Sequence, residues 1–215
     1  MDLSIQRNEE FAMFLTKEKI RSLTVGAAAV YEEEKGLRFA KCTPDQLAAW
    51  KEALPHIYSN AVGSTGVRLD FCTDSDFVTV TTGEAGKYEV KINGLIHAQY
   101  IAVQTQDGIR SNTFTIRPGS GINRITISLP SHGAGGVISS VEIADNSFCE
   151  RHRFDRKILF LGDSITQGWN SKYDSMSYAY LVSDNLNADS IIQGIGGAVF
   201  APSTILPWIL PPIPL

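Results

Sequence analysis

The sequence predicts a β-sandwich or jelly roll over residues 1–150, followed by the partial start of a parallel α/β fold over residues 156–215. Three observations carry that reading. Between about Gly66 and Cys149, short runs alternate apolar and polar side chains with the period of a half-buried strand: Val67 to Phe71, Phe77 to Thr81, Tyr88 to Ile92 and Ile122 to Leu129. Turn-forming clusters separate them, among them Thr73-Asp74-Ser75-Asp76, Asn93-Gly94, Asp107-Gly108 and Pro118-Gly119-Ser120-Gly121, and leave no room for helices. After Lys157 the pattern changes. Ile158-Leu159-Phe160-Leu161 is a continuous apolar run stopped by Gly162, as suits a strand buried on both faces of a parallel sheet.

The remaining elements follow in chain order. Thr43 is placed as the N-cap and Pro44 at the first position of a helix running through Trp50 and ended by Pro55. Glu150 to Lys157 is a basic-leaning connector. Tyr178 to Leu186 reads as a helix with Tyr178, Leu181, Val182 and Leu186 on one apolar stripe, and Ser190 to Gln193 as a second buried strand ending in Gly194. Strand, helix and strand make a βαβ unit, the smallest piece of a parallel sheet. Pro202, Pro207, Pro211, Pro212 and Pro214 crowd the end of the chain and exclude both helix interior and central strand there.

Composition narrows the functions. With 43% hydrophobic and 20% charged residues the chain is globular, and a formal charge of -4 gives no basic footprint for nucleic acid or anionic lipid. There is no apolar run of about 18 residues, so no membrane span is expected. The acids Asp2, Glu9 and Glu10 ahead of a short apolar patch do not make a secretory signal, and a cytoplasmic location is the expectation. Cys42, Cys72 and Cys149 are widely spaced and odd in number, which reads as reduced thiols rather than a disulfide framework or a metal site.

Chemistry concentrates in Gly162-Asp163-Ser164-Ile165-Thr166-Gln167-Gly168, directly after the apolar strand. A serine at a strand's carboxyl end lies on the rim where open α/β sheets bind ligands. Gly162 permits a tight turn, and a helix starting there aims amide groups at a developing oxyanion. G-D-S alone is an ordinary turn of small residues; the whole heptad after a buried strand favours a serine nucleophile. The same glycines lack the Lys-Ser/Thr of a P-loop, and Gly194-Ile195-Gly196-Gly197-Ala198-Val199 carries Val at the last position of a dinucleotide fingerprint.

Lys157 to Gly168 resembles the first block of the SGNH hydrolases, the GDSL-type esterases and lipases, whose pattern is a strand followed by G-D-S-[IL]-T-x-G. Ile192-Gln193-Gly194-Ile195-Gly196-Gly197 resembles the family's second block, N-x-G-x-x-G, with Ile192 in the place of the usual Asn. The resemblance implies a flavodoxin-like α/β/α domain, Ser164 as nucleophile and the backbone amides of Ser164 and Gly197 in the oxyanion hole, with Gly162, Asp163, Gly168 and Gly194 supporting the motif. It calls for no metal or organic cofactor. Residues 30 to 148 are similar, more loosely, to the N-terminal jelly-roll domain of some bacterial SGNH esterases, including carbohydrate deacetylases. A short acyl ester on a carbohydrate is the implied substrate.

Two of the family's blocks are missing. G-x-N-D, which supplies an oxyanion-hole Asn, and D-x-x-H, which supplies the base, do not occur after Gly197, so a truncated and catalytically impaired chain is expected. Gly121-Ile122-Asn123-Arg124 mimics the former but falls within a predicted strand of the sandwich. The four histidines, His56, His97, His132 and His152, all precede Ser164, and each reads more simply as a loop, strand or connector residue than as a base. A non-catalytic alternative remains: a carbohydrate-binding or interaction module whose Tyr58, Tyr88, Tyr100 and Phe114 offer ring faces to sugars.

Overall fold

The computed structural model describes residues 11–201. Two antiparallel sheets share one core. The first contains the strands Ala12–Phe14 (β1), Ala29–Glu33 (β3), Gly36–Ala40 (β4), Val78–Thr82 (β6), Thr113–Ile116 (β10) and Gly136–Ala144 (β12), in the order β10-β6-β12-β4-β3 with β1 added along β12. The second contains Thr24–Val25 (β2), Arg68–Thr73 (β5), Gly86–Ile92 (β7), Leu95–Thr105 (β8), Gly108–Arg110 (β9), Asn123–Ser128 (β11) and Cys149–Arg151 (β13), in the order β13-β5-β11-β7-β8-β9 with β2 on β5. Their inward residues interdigitate: Phe39, Val80, Ile116 and Ile138 from the first sheet meet Phe71, Val90, Ile125 and Ile127 from the second.

The short helices are Lys17–Ser22 (α1), Pro44–Ala53 (α2), Tyr58–Val62 (α3), Ser164–Gln167 (α4) and Tyr178–Asn185 (α5). Thr43 caps α2 as the sequence predicts. Its hydroxyl accepts from Gln46 N–H at 3.2 Å while Gln46 Oε1 accepts from Thr43 N–H at 2.9 Å, a complete capping box with Pro44 in the first turn. Beyond Pro55 the chain continues as a 3-10 turn, Pro55–Ile57, leading into α3, which the sequence reading did not foresee.

Arg156–Gly162 (β14) and Ala188–Gly194 (β15) pair in parallel, in register from Arg156 with Ala188 to Gly162 with Gly194. The expected βαβ unit is present, with two corrections. Ile158, Leu159, Phe160 and Leu161 are half-buried rather than covered on both faces, because β14 has a strand on one side only among the described residues. Helix α5 also turns its other face inward. Ala179, Tyr180 and Ser183 are buried, whereas the predicted stripe of Tyr178, Leu181, Val182 and Leu186 is exposed.

Polar anchors decide that rotation. The Tyr180 hydroxyl accepts from Gly66 N–H at 3.0 Å, and Asp184 pairs with Arg68 at 3.2 Å and Lys91 at 2.9 Å on the second sheet. Arg68 also faces Asp70, which takes a two-pronged contact from Arg124 at 2.8 and 2.7 Å. The proline-rich residues 202–215 lie outside the described residues, and none of the described helices is long and apolar enough to cross a membrane.

Candidate active site

The heptad folds as its residue types dictate. Asp163 caps α4, accepting from Ile165 N–H at 2.9 Å, and Gly168 ends it after one turn in the left-handed conformation at φ 84°. Gly162 lets the turn close over the strand end, since a Cβ there would stand 2.0 Å from Thr166 Oγ1. Ser164 is the first residue of α4, at the carboxyl end of β14, and is half-buried. Its amide is one of the helix-start donors without an intrahelical partner.

The chain leaving β15 forms the matching wall. Gly194 lies against α4 so closely that a Cβ would come within 2.2 Å of Gln167 N. Ile195 N–H donates to Gly162 O at 2.9 Å, tying the ends of the two parallel strands together. Gly197 has φ 85° and sits against Ile57, whose Cγ2 would be 2.8 Å from an added Cβ. Neither the Ser164 nor the Gly197 amide has a hydrogen-bond acceptor among the described residues. Gly162, Asp163, Thr166 and Ala198 line a cavity of about 380 Å³ at this end of the sheet. A larger hollow of about 530 Å³ beside Arg153, Arg156 and Asp189 opens at the amino ends of the strands, the opposite rim from the one that binds ligands in α/β sheets.

Ile192, at the position where the second block usually has Asn, is buried and packs with Tyr180 and Phe160. The missing polar side chain is thus replaced by core.

Residues far upstream brace the site, and no local pattern announced them. Gln167 Oε1 accepts from Gly196 N–H at 2.7 Å, and its Nε2 donates to Ser131 O at 2.9 Å. Those two backbone contacts fix the amide's orientation, so its contact with His132 Nδ1 at 3.1 Å makes that ring nitrogen the acceptor and leaves His132 neutral with its proton on Nε2. Burial also pulls the His132 pKa down. His132 was expected to be an exposed turn residue; it is half-buried, edge-on to Trp169 at 4.8 Å. Asp174 secures the same corner, accepting from Ser131 N–H at 3.1 Å and pairing with Lys87 at 3.0 Å.

Of the other histidines, His56 and His97 are exposed, and His152 bonds Asn187. Ser164 Oγ makes no hydrogen bond to a histidine among the described residues. Asn123 is structural, donating to Gly119 O and Gly121 O.

Lys41 is the least expected neighbour. It is fully buried, and its ammonium donates to Gly194 O at 2.7 Å, Asn60 O at 2.7 Å and Thr65 Oγ1 at 3.2 Å. No carboxylate pairs with it among the described residues. Burial pulls its pKa down to about 8 and pushes that of adjacent Cys42 up to about 11. Gln193 Nε2 locks the same strand by donating to Lys41 O at 2.8 Å and Gln46 Oε1 at 2.9 Å.

A pH dependence follows. Between about pH 8 and 10.5 the unfolded chain holds a proton on Lys41 that the folded one has released. Stability relative to Lys41→Met should therefore rise with pH across that window, by roughly 3 kcal/mol in total. Denaturation midpoints of both proteins from pH 7 to 10.5 check this. A flat difference would mean that the three oxygens hold the proton against burial.

The aromatic residues offered for sugar binding are mostly inside. Tyr88 is fully buried, Phe114 nearly so, and Tyr100 is stacked on Phe114 with centroids 4.2 Å apart. The three cysteines are free, Cys42 and Cys149 buried and Cys72 partly so.

No family model and no curated protein matches the chain. Solved structures do. A salicylyl-acyltransferase from a tetracycline biosynthetic pathway aligns with TM-score 0.64 and 16% identity, over 80% of this chain and 52% of its own. A protein described as a GDSL-like lipase from Bacteroides ovatus aligns with TM-score 0.60 and 15% identity, over 87% of this chain and 57% of its own. The chain shares the fold of these two proteins. An acetyl xylan esterase from the rumen bacterium Butyrivibrio proteoclasticus aligns with TM-score 0.54 and 16% identity, over 87% of this chain and 50% of its own. The chain spans about half the length of these three structures.

Proposed function

We propose that the chain carries the nucleophile and oxyanion side of an SGNH-type serine esterase, built as a jelly-roll domain over residues 1–150 and a partial flavodoxin-like domain over residues 156–215. Ser164 Oγ attacks the acyl carbonyl, its proton passes to an acceptor, and the amides of Ser164 and Gly197 receive the charge on the carbonyl oxygen. The alcohol leaves with a proton, and water then releases the acid from Ser164. One observation carries this reading: Ser164 opens α4 at the carboxyl end of β14, and the glycine turn after β15 closes beside it. The acetyl xylan esterase among the fold relatives supports a short acyl ester of a carbohydrate as substrate.

The proton acceptor is the missing part. His132 accepts from Gln167, and Ser164 Oγ has no hydrogen bond to a histidine among the described residues, so unaided turnover is slow. A positioned base contributes about 10²–10⁴-fold. Imidazole added to the solution should therefore raise p-nitrophenyl acetate hydrolysis by the protein above the rate with Ser164→Ala, which serves as the blank. Equal rates for the two proteins at every imidazole concentration would refute Ser164 as nucleophile.

A further inference from the structure

The peptide unit that bears the Gly197 amide is gripped from the sandwich side of the molecule. Asn60 Nδ2 donates to Gly196 O at 2.8 Å. That oxygen and the Gly197 N–H belong to one peptide, and in a trans peptide they point in opposite directions. Fastening the oxygen on Asn60 therefore sets the direction of the amide. Accepting a hydrogen bond at the oxygen also polarises the peptide and makes its N–H a stronger donor.

Asn60 is itself held. Lys41 Nζ donates to the Asn60 carbonyl and to Gly194 O, both at 2.7 Å, and so joins α3 to the start of the same turn. Ile57, three residues before Asn60, packs against Gly197, whose left-handed φ of 85° and 2.8 Å approach of Ile57 Cγ2 to an added Cβ both favour glycine. On the other side Gln167 takes the Gly196 amide. The turn is thus fixed at Gly194 O, Gly196 N and Gly196 O, while the Gly197 N–H has no acceptor among the described residues.

We propose that Asn60 is a positioning residue for acyl transfer at Ser164: through the Gly196 carbonyl it aims and strengthens the Gly197 N–H that receives the oxyanion. This rests on the reading of Ser164 and Gly197 given above. It makes α3, which lies between β4 and β5 of the sandwich, a working part of the reactive site.

The test uses the full chain with Asn60→Ala and Asn60→Asp. Asp keeps the shape of Asn but turns a donor into a carboxylate facing the Gly196 oxygen. In imidazole-supported p-nitrophenyl acetate hydrolysis, kcat should fall about tenfold to a hundredfold with KM unchanged, and further for Asp than for Ala. In nitrogen-15 spectra of the unliganded protein, the Gly197 amide resonance should move in both variants while those of β5, β7 and β11 stay in place.

A side chain that merely fills space between two packed segments predicts the reverse order, with Asp milder than Ala. An unmoved Gly197 resonance, or wild-type kcat in both variants while Ser164→Ala abolishes the rate, overturns the proposal. Loss of the distinction between wild type and Ser164→Ala instead overturns the site reading itself, and the two failures are told apart by that control.

Discussion

Asp70→Ala is expected to cost the protein about 3–5 kcal/mol of stability, the range for removing one partner of a buried ionic contact. Asp70 is fully buried and is the carboxylate on which two arginines converge, Arg124 through two hydrogen bonds and Arg68 at 3.2 Å. Without it, Arg68, Arg124 and Lys91 are left with Asp184, which is already divided between Arg68 and Lys91. Arg68 is nearly inaccessible to water, so solvent cannot replace the lost partner. Asp70→Asn keeps the volume and some hydrogen bonding but not the charge, and should fall between wild type and Ala. Guanidinium denaturation of the three proteins checks the ranking. A loss below about 1 kcal/mol for Ala would show that the cluster relaxes rather than holds.

Gly194→Ala is the second large effect. A methyl group there would lie 2.2 Å from Gln167 N and 2.5 Å from Thr166 C, both main-chain atoms that no side-chain rotation can move aside. Helix α4 would have to lift off β15, breaking the Gln167–Gly196 contact and the Ile195–Gly162 link together. Overpacking against side chains costs about 1–3 kcal/mol, and against backbone the upper end or more applies. Thermal unfolding should show a loss of about 3 kcal/mol, and Ser164 reactivity in imidazole should drop with it. An unchanged midpoint would place α4 farther from β15 than described.

What could be read in advance was local. Thr43 and Pro44 announce α2, because a cap and a first-turn proline act within four residues. The heptad from Gly162 to Gly168 announces α4, because each glycine meets a neighbour a few positions away or a required backbone angle. The rotation of α5 was not legible. Tyr178, Leu181, Val182 and Leu186 form the more apolar face, yet Tyr180 and Asp184 find partners at Gly66, Arg68 and Lys91 more than 90 residues upstream. Periodicity reports that a helix has faces, not which of them meets a surface.

Long-range polar contacts explain the other omissions. Nothing in the sequence sets Lys41 apart until β15 arrives with Gly194 O, nor Asn60 until Gly196 does. Gln46 and Gln193 pair across 147 positions. None of these has a spacing or residue pattern that could be searched for. His132 was read as a solvated turn because Ser131-His132-Gly133 looks like one, and only the fold brings Gln167 to it.

The residues 150–157 read from the sequence as a connector belong partly to β13 and β14, and only 152–155 join the two strands. Cutting there would strand the carbonyls of Gly194 and Gly196, and take from the buried Lys41 ammonium one of its three acceptors. Anyone transplanting the parallel strand pair onto a new scaffold must carry the Lys41–Asn60 stretch with it, or invent a substitute for it.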